Sequence, residues 1–287
     1  MNVEIVKPYG FCYGVIKAIE ITKKVRKDNP TSRIYMFGPL IHNEHINSLM
    51  KKLKITVLDL PYEEYFNIID TLKIGDVVIL PAHGHEKSLE KTLSDKGILF
   101  VDTTCKIISL LHQNIMKCNS KEIIYIGNKN HVEAITSSQL RDNVCFYDLN
   151  DGFIFKTPKT TNPSLFYQTT LTKNDIKEAL KKIKVDYPDL KISKSYCNEC
   201  SLRQKHLISE INNKKIPIII GSNTSSNTIS LLKICQKSTK INEFYLISNF
   251  EDVNKIKFDK EKQYVIFSGT STPNELVEKI FKYIRSL

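Results

Sequence analysis

The chain has 287 residues, 41% hydrophobic and 25% charged, which supports packed cores and excludes wholesale disorder. Its net charge of +11 admits nucleic acid, an anionic membrane surface or an anionic small molecule as a partner. The lysines are spread along the chain, and neither stacked-aromatic nor zinc-finger signatures occur, which argues against nucleic acid. The opening MNVEIVKPYGFCYG has no basic flank before a long apolar run, so no signal peptide is expected. Apolar runs such as 216–220 and 77–80 fall far short of the ~20 residues of a membrane helix. A cytoplasmic protein with no membrane and no nucleic-acid partner is expected.

In chain order, the sequence alternates β-type runs, polar loops and helical stretches. A β-type run at 33–37 leads into GPLIHNEH, and one at 76–80 into PAHGHEKSLEKTL. The run at 98–101 leads into DTTCKIISLLHQ, and 122–126 into GNKNHVEAI. Three more, at 165–167, 217–220 and 264–267, lead into QTTLTKNDIKEAL, GSNTSSNTISLL and SGTSTPNELVEKIF. This alternation predicts parallel sheets covered by helices, and the loop Ser, Thr and Asn residues suit helix N-caps.

Seven cysteines occur, at 12, 105, 118, 145, 197, 200 and 235. An odd number, widely scattered, argues for thiols, metal ligands or core residues over a disulfide framework. Cys105 follows Cys12 by 93 residues and Cys197 follows Cys105 by 92, close to a third of the chain each. We read three α/β modules, 13–104, 105–196 and 197–287, with 1–12 packing against the third, each offering one thiolate. Three thiolates suit an iron–sulfur cluster, which usually takes four, and leave one iron open. Cys118, Cys145 and Cys235 lie in apolar contexts and read as core. Cys197 and Cys200 form C-N-E-C, but zinc would want a second such pair.

In open parallel sheets, ligands bind outside the carboxyl ends of the strands. His42, His83, Cys105, His131, Glu133, Thr169, Ser225, Ser226, Asn227 and Ser271 all fall just after β-type runs. GSNTSSN at 221–227 opens a helix, where backbone N–H groups suit a phosphate. It lacks the lysine of a nucleotide-binding loop, and as a lone motif it reads equally as a cap-rich turn; SGTSTP at 268–273 repeats its composition. His42, His83 and His131 form a set of imidazoles able to hydrogen-bond an anion, whereas His45, His85, His112 and His206 read as peripheral. The unit H-V-E at 131–133 sets a carboxyl beside an imidazole, which suits proton delivery in a partly dry site, although a solvated helix-start Glu is the plainer reading.

Taken together, GFCYGV (10–15), GPLIHN (38–43), PAHG (81–84), DTTC (102–105), H-V-E (131–133), QTTL (168–171), YCN with RQ (196–204), GSNTSSN and SGTSTP resemble the 4-hydroxy-3-methylbut-2-enyl diphosphate reductase family, in order and spacing along essentially the whole chain. The resemblance implies a trefoil of three pseudo-repeated α/β modules around a central cluster, one [4Fe–4S] with three cysteine ligands and one open iron. It implies Cys12, Cys105 and Cys197 as ligands. His42, His83, Ser225, Ser226, Asn227 and Ser271 would hold the diphosphate of a small allylic substrate. His131 and Thr169 would be substrate-site residues, Thr169 also relaying a proton from Glu133, the acid. Reduced ferredoxin or flavodoxin would supply electrons. Val132, Thr224 and Cys200 depart from the commoner family pattern. A three-cysteine dehydratase of the quinolinate synthase type shares the modular pattern, and an iron–sulfur sensor is a non-enzymatic alternative. H-V-E with the two Ser- and Thr-rich loops favours the diphosphate reductase.

Overall fold

The computed structural model describes residues 1–41, 43–193, 196–211 and 215–287. In chain order it begins β1 (Asn2–Ile5), α1 (Tyr13–Asp28), β2 (Ile34–Phe37), α2 (Glu44–Lys52), β3 (Ile55–Leu58), α3 (Glu64–Thr71), β4 (Val77–Leu80), α4 (Lys87–Asp95) and β5 (Leu99–Asp102). There follow α5 (Lys106–Met116), β6 (Ile123–Gly127), α6 (Val132–Ser138), β7 (Val144–Asp148), β8 (Gly152–Ile154), β9 (Ser164–Tyr167), α7 (Lys173–Asp186) and β10 (Lys191–Ile192). The last elements are α8 (Asn198–Glu210), β11 (Lys215–Ile220), α9 (Ser226–Gln236), β12 (Tyr245–Ile247), β13 (Gln263–Ser268) and α10 (Asn274–Ser286).

The chain divides into two compact units. The first comprises Met1–Val15, Thr170–Thr172 and Cys197–Leu287; the second comprises Ile16–Thr169 and Lys173–Tyr196. The first holds one parallel sheet, in the order β1-β13-β11-β12. Its central strands are apolar on both faces because helices cover both. Ile218 and Ile220, with Tyr264 and Ile266, pack on Val277, Ile280 and Ile284 of α10. Ile219 and Val265 point the other way, onto Leu207 of α8 and Leu231 of α9. Full burial of each such side chain stabilises the unit by roughly 1.5–3 kcal/mol.

The second unit holds two sheets, ordered β3-β2-β4-β5 and β10-β9-β6-β7-β8. The strand pairs are parallel except the β7–β8 hairpin, which is antiparallel. That hairpin departs from the all-parallel expectation. Its turn is built by Asp148, fully buried, whose Oδ1 accepts the N–H groups of Asn150 and Asp151. The α/β class with parallel sheets otherwise agrees with the sequence reading.

All three sheets share one topological feature. In the first unit, β11 leads to β12 on one side while β13 lies on the other. In the second unit, β2 leads to β3 and β4 to β5 in opposite directions, and likewise β6 to β7 and β9 to β10. Loops leaving two adjacent strands in opposite directions open a crevice at their carboxyl ends, the usual ligand position in such sheets. The crevices therefore fall at the pairs β11/β13, β2/β4 and β6/β9. No helix among the described residues is long and apolar enough to cross a membrane.

Candidate active site

In the second unit the β6/β9 crevice is built around Glu133. The pairing of β6 with β9 sets Ile126 beside Tyr167, so the segments just beyond both strands run side by side. Gln168 donates its N–H to Ile126 O (2.8 Å), and its side-chain oxygen accepts from Asn128 N (3.0 Å). Helix α6 then starts with His131 as N-cap, its Nδ1 accepting from Glu133 N at 3.2 Å. This cap points the Glu133 side chain inward, where it is 1% exposed. Thr169 donates to its carboxylate twice, from the backbone N–H to Oε1 (2.7 Å) and from Oγ1 to Oε2 (2.9 Å). The Tyr125 hydroxyl donates to Oε1 at 3.4 Å. A carboxyl group so enclosed is held in one orientation, with the Thr169 hydroxyl as its neighbour for proton exchange.

His83 lies in the loop after β4, and its ring meets that of His131 edge to face, the centroids 6.0 Å apart. Cys105, the residue before α5, donates its N–H to Ala82 O (3.1 Å), so the loops after β4 and β5 are joined. His83, Cys105, His131, Glu133 and Thr169 therefore all belong to carboxyl-end loops of this unit, with His83, His131, Glu133 and Thr169 in a continuous set of contacts. His42 lies outside the described residues.

In the first unit the β11/β13 crevice carries Ser225, Ser226, Asn227 and Ser271. Ser225 is the N-cap of α9, yet its side chain makes no capping bond; its hydroxyl pairs instead with that of Ser271 at 2.9 Å. Ser226 and Asn227 form the first helical positions. The two loops are fastened together: Gly269 N and Thr272 Oγ1 both reach Ile220 O, at 2.9 and 3.0 Å. Gly221, at φ +154°, lets Thr228 close over the turn, since a Cβ there would lie 2.3 Å from Thr228 Oγ1. A helix start without a side-chain cap, flanked by hydroxyls, is suited to an anion.

The cysteine loops of this unit attach to the same strand ends. Cys12 donates its N–H to Thr270 O (3.0 Å). Cys197 caps α8, which begins at Asn198, earlier than the helical run read from 203 onward. The Cys200 side chain, with the N–H groups of Cys200 and Glu199, outweighs burial and holds the Cys197 thiol down at about 6, so it is mostly thiolate at neutral pH, the form that binds metals.

Three features escaped the sequence reading. Arg203 is buried, and its Nη1 donates to Ser268 O, Ser268 Oγ and Gly269 O at 2.9, 3.2 and 3.0 Å; Gly10 N also donates to Ser268 Oγ (2.8 Å). The Arg thus fixes the strand end that anchors the Cys12 loop, a role that RQ in the sequence does not reveal. Tyr125 was hidden in the apolar run of β6. His85, Glu90 and Asp102 cluster, but Glu90 lies at Nε2 (2.8 Å) and Asp102 at Nδ1 (3.9 Å). The two ring nitrogens thus face different carboxylates, an ion-pair arrangement more than a shared metal position.

The LytB protein family model matches residues 3–285. A curated protein of Thermoanaerobacter sp. (strain X514), named 4-hydroxy-3-methylbut-2-enyl diphosphate reductase, is 30% identical over 293 residues, covering 100% of this chain and 98% of that protein. One of the same name from Fusobacterium nucleatum is also 30% identical over 98% of this chain, which spans 34% of that longer protein. A solved structure of the E-1-hydroxy-2-methyl-but-2-enyl-4-diphosphate reductase from Plasmodium falciparum superposes with a TM-score of 0.84 at 25% identity, over 100% of this chain and 87% of that one. With a match along nearly its whole length, the chain belongs to the LytB protein family.

Proposed function

We propose that this chain reduces 4-hydroxy-3-methylbut-2-enyl diphosphate to isopentenyl and dimethylallyl diphosphates, removing a hydroxyl group with two electrons and two protons. The observation that carries this reading is the buried Glu133, clamped by both donors of Thr169, in a chain whose curated relatives bear that enzyme's name. Hydroxide is a poor leaving group, so a positioned acid is what the reaction needs.

Cys12, Cys105 and Cys197 would hold one [4Fe–4S] cluster, and the thiolate character of Cys197 suits that donor set. When bound, the cluster would supply the electrons and an open Lewis-acidic iron. The assignment of three modules, 13–104, 105–196 and 197–287 with 1–12, gives each module one of these thiols; the pairing of β1 with β13 supports placing 1–12 with the last.

The protein's own groups do the rest. Ser225, Ser226, Asn227 and Ser271 receive the diphosphate at the start of α9, whose N–H groups and dipole favour negative charge. His42, His83 and His131 add imidazole donors to the anion. Binding energy at the diphosphate end holds the carbon chain in place for reaction. Glu133 carries a proton on its carboxyl group and passes it through the Thr169 hydroxyl to the departing oxygen. Reduced ferredoxin or flavodoxin in the cytoplasm is the electron source, an acidic partner suited to a chain of net charge +11.

The test is product formation by anaerobically prepared, cluster-loaded protein given a strong artificial reductant and this substrate. Isopentenyl and dimethylallyl diphosphates are expected; their absence with a full cluster would overturn the reading.

A further inference from the structure

Glu133 is 1% exposed, yet under the proposed function it loses a proton in every turnover. A buried acid needs a path by which the proton returns. The substrate side offers Thr169, but the far side of the carboxyl group offers something the reaction has not yet used.

Tyr125 projects from β6, fully buried, with its hydroxyl 3.4 Å from Glu133 Oε1. Ser137 lies one turn beyond Glu133 on α6, on the same face of the helix, and is also fully buried. Its hydroxyl hydrogen-bonds the Tyr125 phenol. His112 of α5 then meets Ser137, Nε2 to Oγ, at 3.1 Å. Gly84 makes room for that ring: its φ is +90°, and a Cβ there would come within 2.8 Å of His112 Cε1. His112 in turn lines a cavity of about 630 Å³, together with His85, Lys87, Glu90 and Asp102.

We propose that His112, Ser137 and Tyr125 form a proton-uptake line that recharges Glu133 from this cavity, behind the substrate site. The inference rests on the proposed reaction for its purpose, and on the hydrogen-bond chain alone for its existence. Each member can donate and accept in its neutral form. Burial pushes the Tyr125 phenol well above its usual range, and the Glu133 charge adds to this. Burial likewise pushes the His112 imidazole down to about 4; His85 and Lys87 act in the same direction and Asp102 against it. Both groups thus stay uncharged near neutral pH, as proton relays should. A buried hydroxyl that needs only a partner would be satisfied by one neighbour; here three in series join a cavity to the acid.

The step balances simply. A hydronium ion or buffer acid in the cavity protonates the second nitrogen of His112. The His112 Nε2 proton moves to Ser137 Oγ, the Ser137 proton to the Tyr125 oxygen, and the Tyr125 proton to Glu133 Oε1. One O–H bond is gained at the carboxylate, each relay group keeps its proton count, and no electrons move. Rotation of the two hydroxyls and exchange at the imidazole reset the line.

The experiment compares cluster-loaded wild type, His112→Ala and Tyr125→Phe, the last keeping the ring that packs the core. Loss of proton delivery should lower kcat roughly tenfold in each variant with KM unchanged. The solvent deuterium isotope effect on kcat should rise in both. Imidazole added to the buffer should restore His112→Ala in a saturable way and leave Tyr125→Phe slow. Without turnover, a pH jump followed by infrared absorption of the Glu133 carboxyl group, assigned by its loss in Glu133→Gln, should show slower protonation in both variants. Wild-type rates in both readouts, or slow turnover with neither imidazole rescue nor an infrared change, would overturn the relay. Slow infrared protonation in a protein that makes no product from this diphosphate would leave the relay standing and sink the reaction instead.

Discussion

Helices α6 and α9 start at equivalent crevices, yet their first turns are finished in opposite ways. On α6 the N-cap side chain, His131, accepts the Glu133 N–H. On α9 the N-cap side chain, Ser225, turns away to Ser271. The closed cap freezes a carboxyl group in a dry pocket. The open cap leaves N–H groups and hydroxyls to an outside anion. The same strand–loop–helix unit thus yields an acid in one place and an anion seat in another, according to whether the cap residue completes the helix itself.

The sharpest way to break this contrast is Glu133→Gln. The amide keeps the shape but cannot supply the proton, so kcat should fall by a hundredfold or more, roughly, while the Kd for substrate stays near wild type. Retained turnover would remove the acid from the closed side. A smaller effect concerns dryness. The His112 imidazole behind the acid is held down to about 4, mainly by burial, against 6.5 when solvated. Its folded value lies below its unfolded one, so the unfolded chain takes up the proton first. Stability is fully present above about 6.5 and is lost as pH falls from there towards about 4. The loss should reach roughly 2 kcal/mol at about pH 5. Denaturant titrations of wild type and His112→Gln should differ by this slope; parallel curves would mean the imidazole is wetter than its surroundings suggest. The smallest effect tests the open cap. Asn227→Ala should weaken substrate binding by about tenfold, the worth of one hydrogen bond to a charged group, with kcat little changed. An unchanged affinity would take the anion away from α9.

Much of this was legible in the sequence, where local chemistry and burial coincide. Runs such as 77–80 and 216–220 are apolar on both faces, so they read as central parallel strands, and β4 (Val77–Leu80) and β11 (Lys215–Ile220) are such strands. The loops that follow them announce themselves by Gly, Ser, Thr and His. Short or half-buried strands do not: β1 (Asn2–Ile5) alternates exposed and partly buried residues, and β10 (Lys191–Ile192) is exposed throughout. Their strand character comes from neighbours far along the chain. Tyr125 illustrates a second limit. In an Ile-rich run its ring is simply core, and only the register of β6 against α6 gives its hydroxyl a carboxyl group to meet. His112, read as peripheral, shows the same: a helix position carries no sign of the serine that will face it.

The edge pairing of β1 has a consequence for synthesis. Asn2 is matched with Gln263, and Cys12 is tethered to Thr270, so the earliest residues made find their partners only when the last have left the ribosome. Contacts of such long sequence separation form late, and domains made earlier can fold first during translation. The Cys12 loop is then among the last pieces to settle, and any cofactor that depends on it must be loaded after translation is finished, onto a chain already proven to be full length.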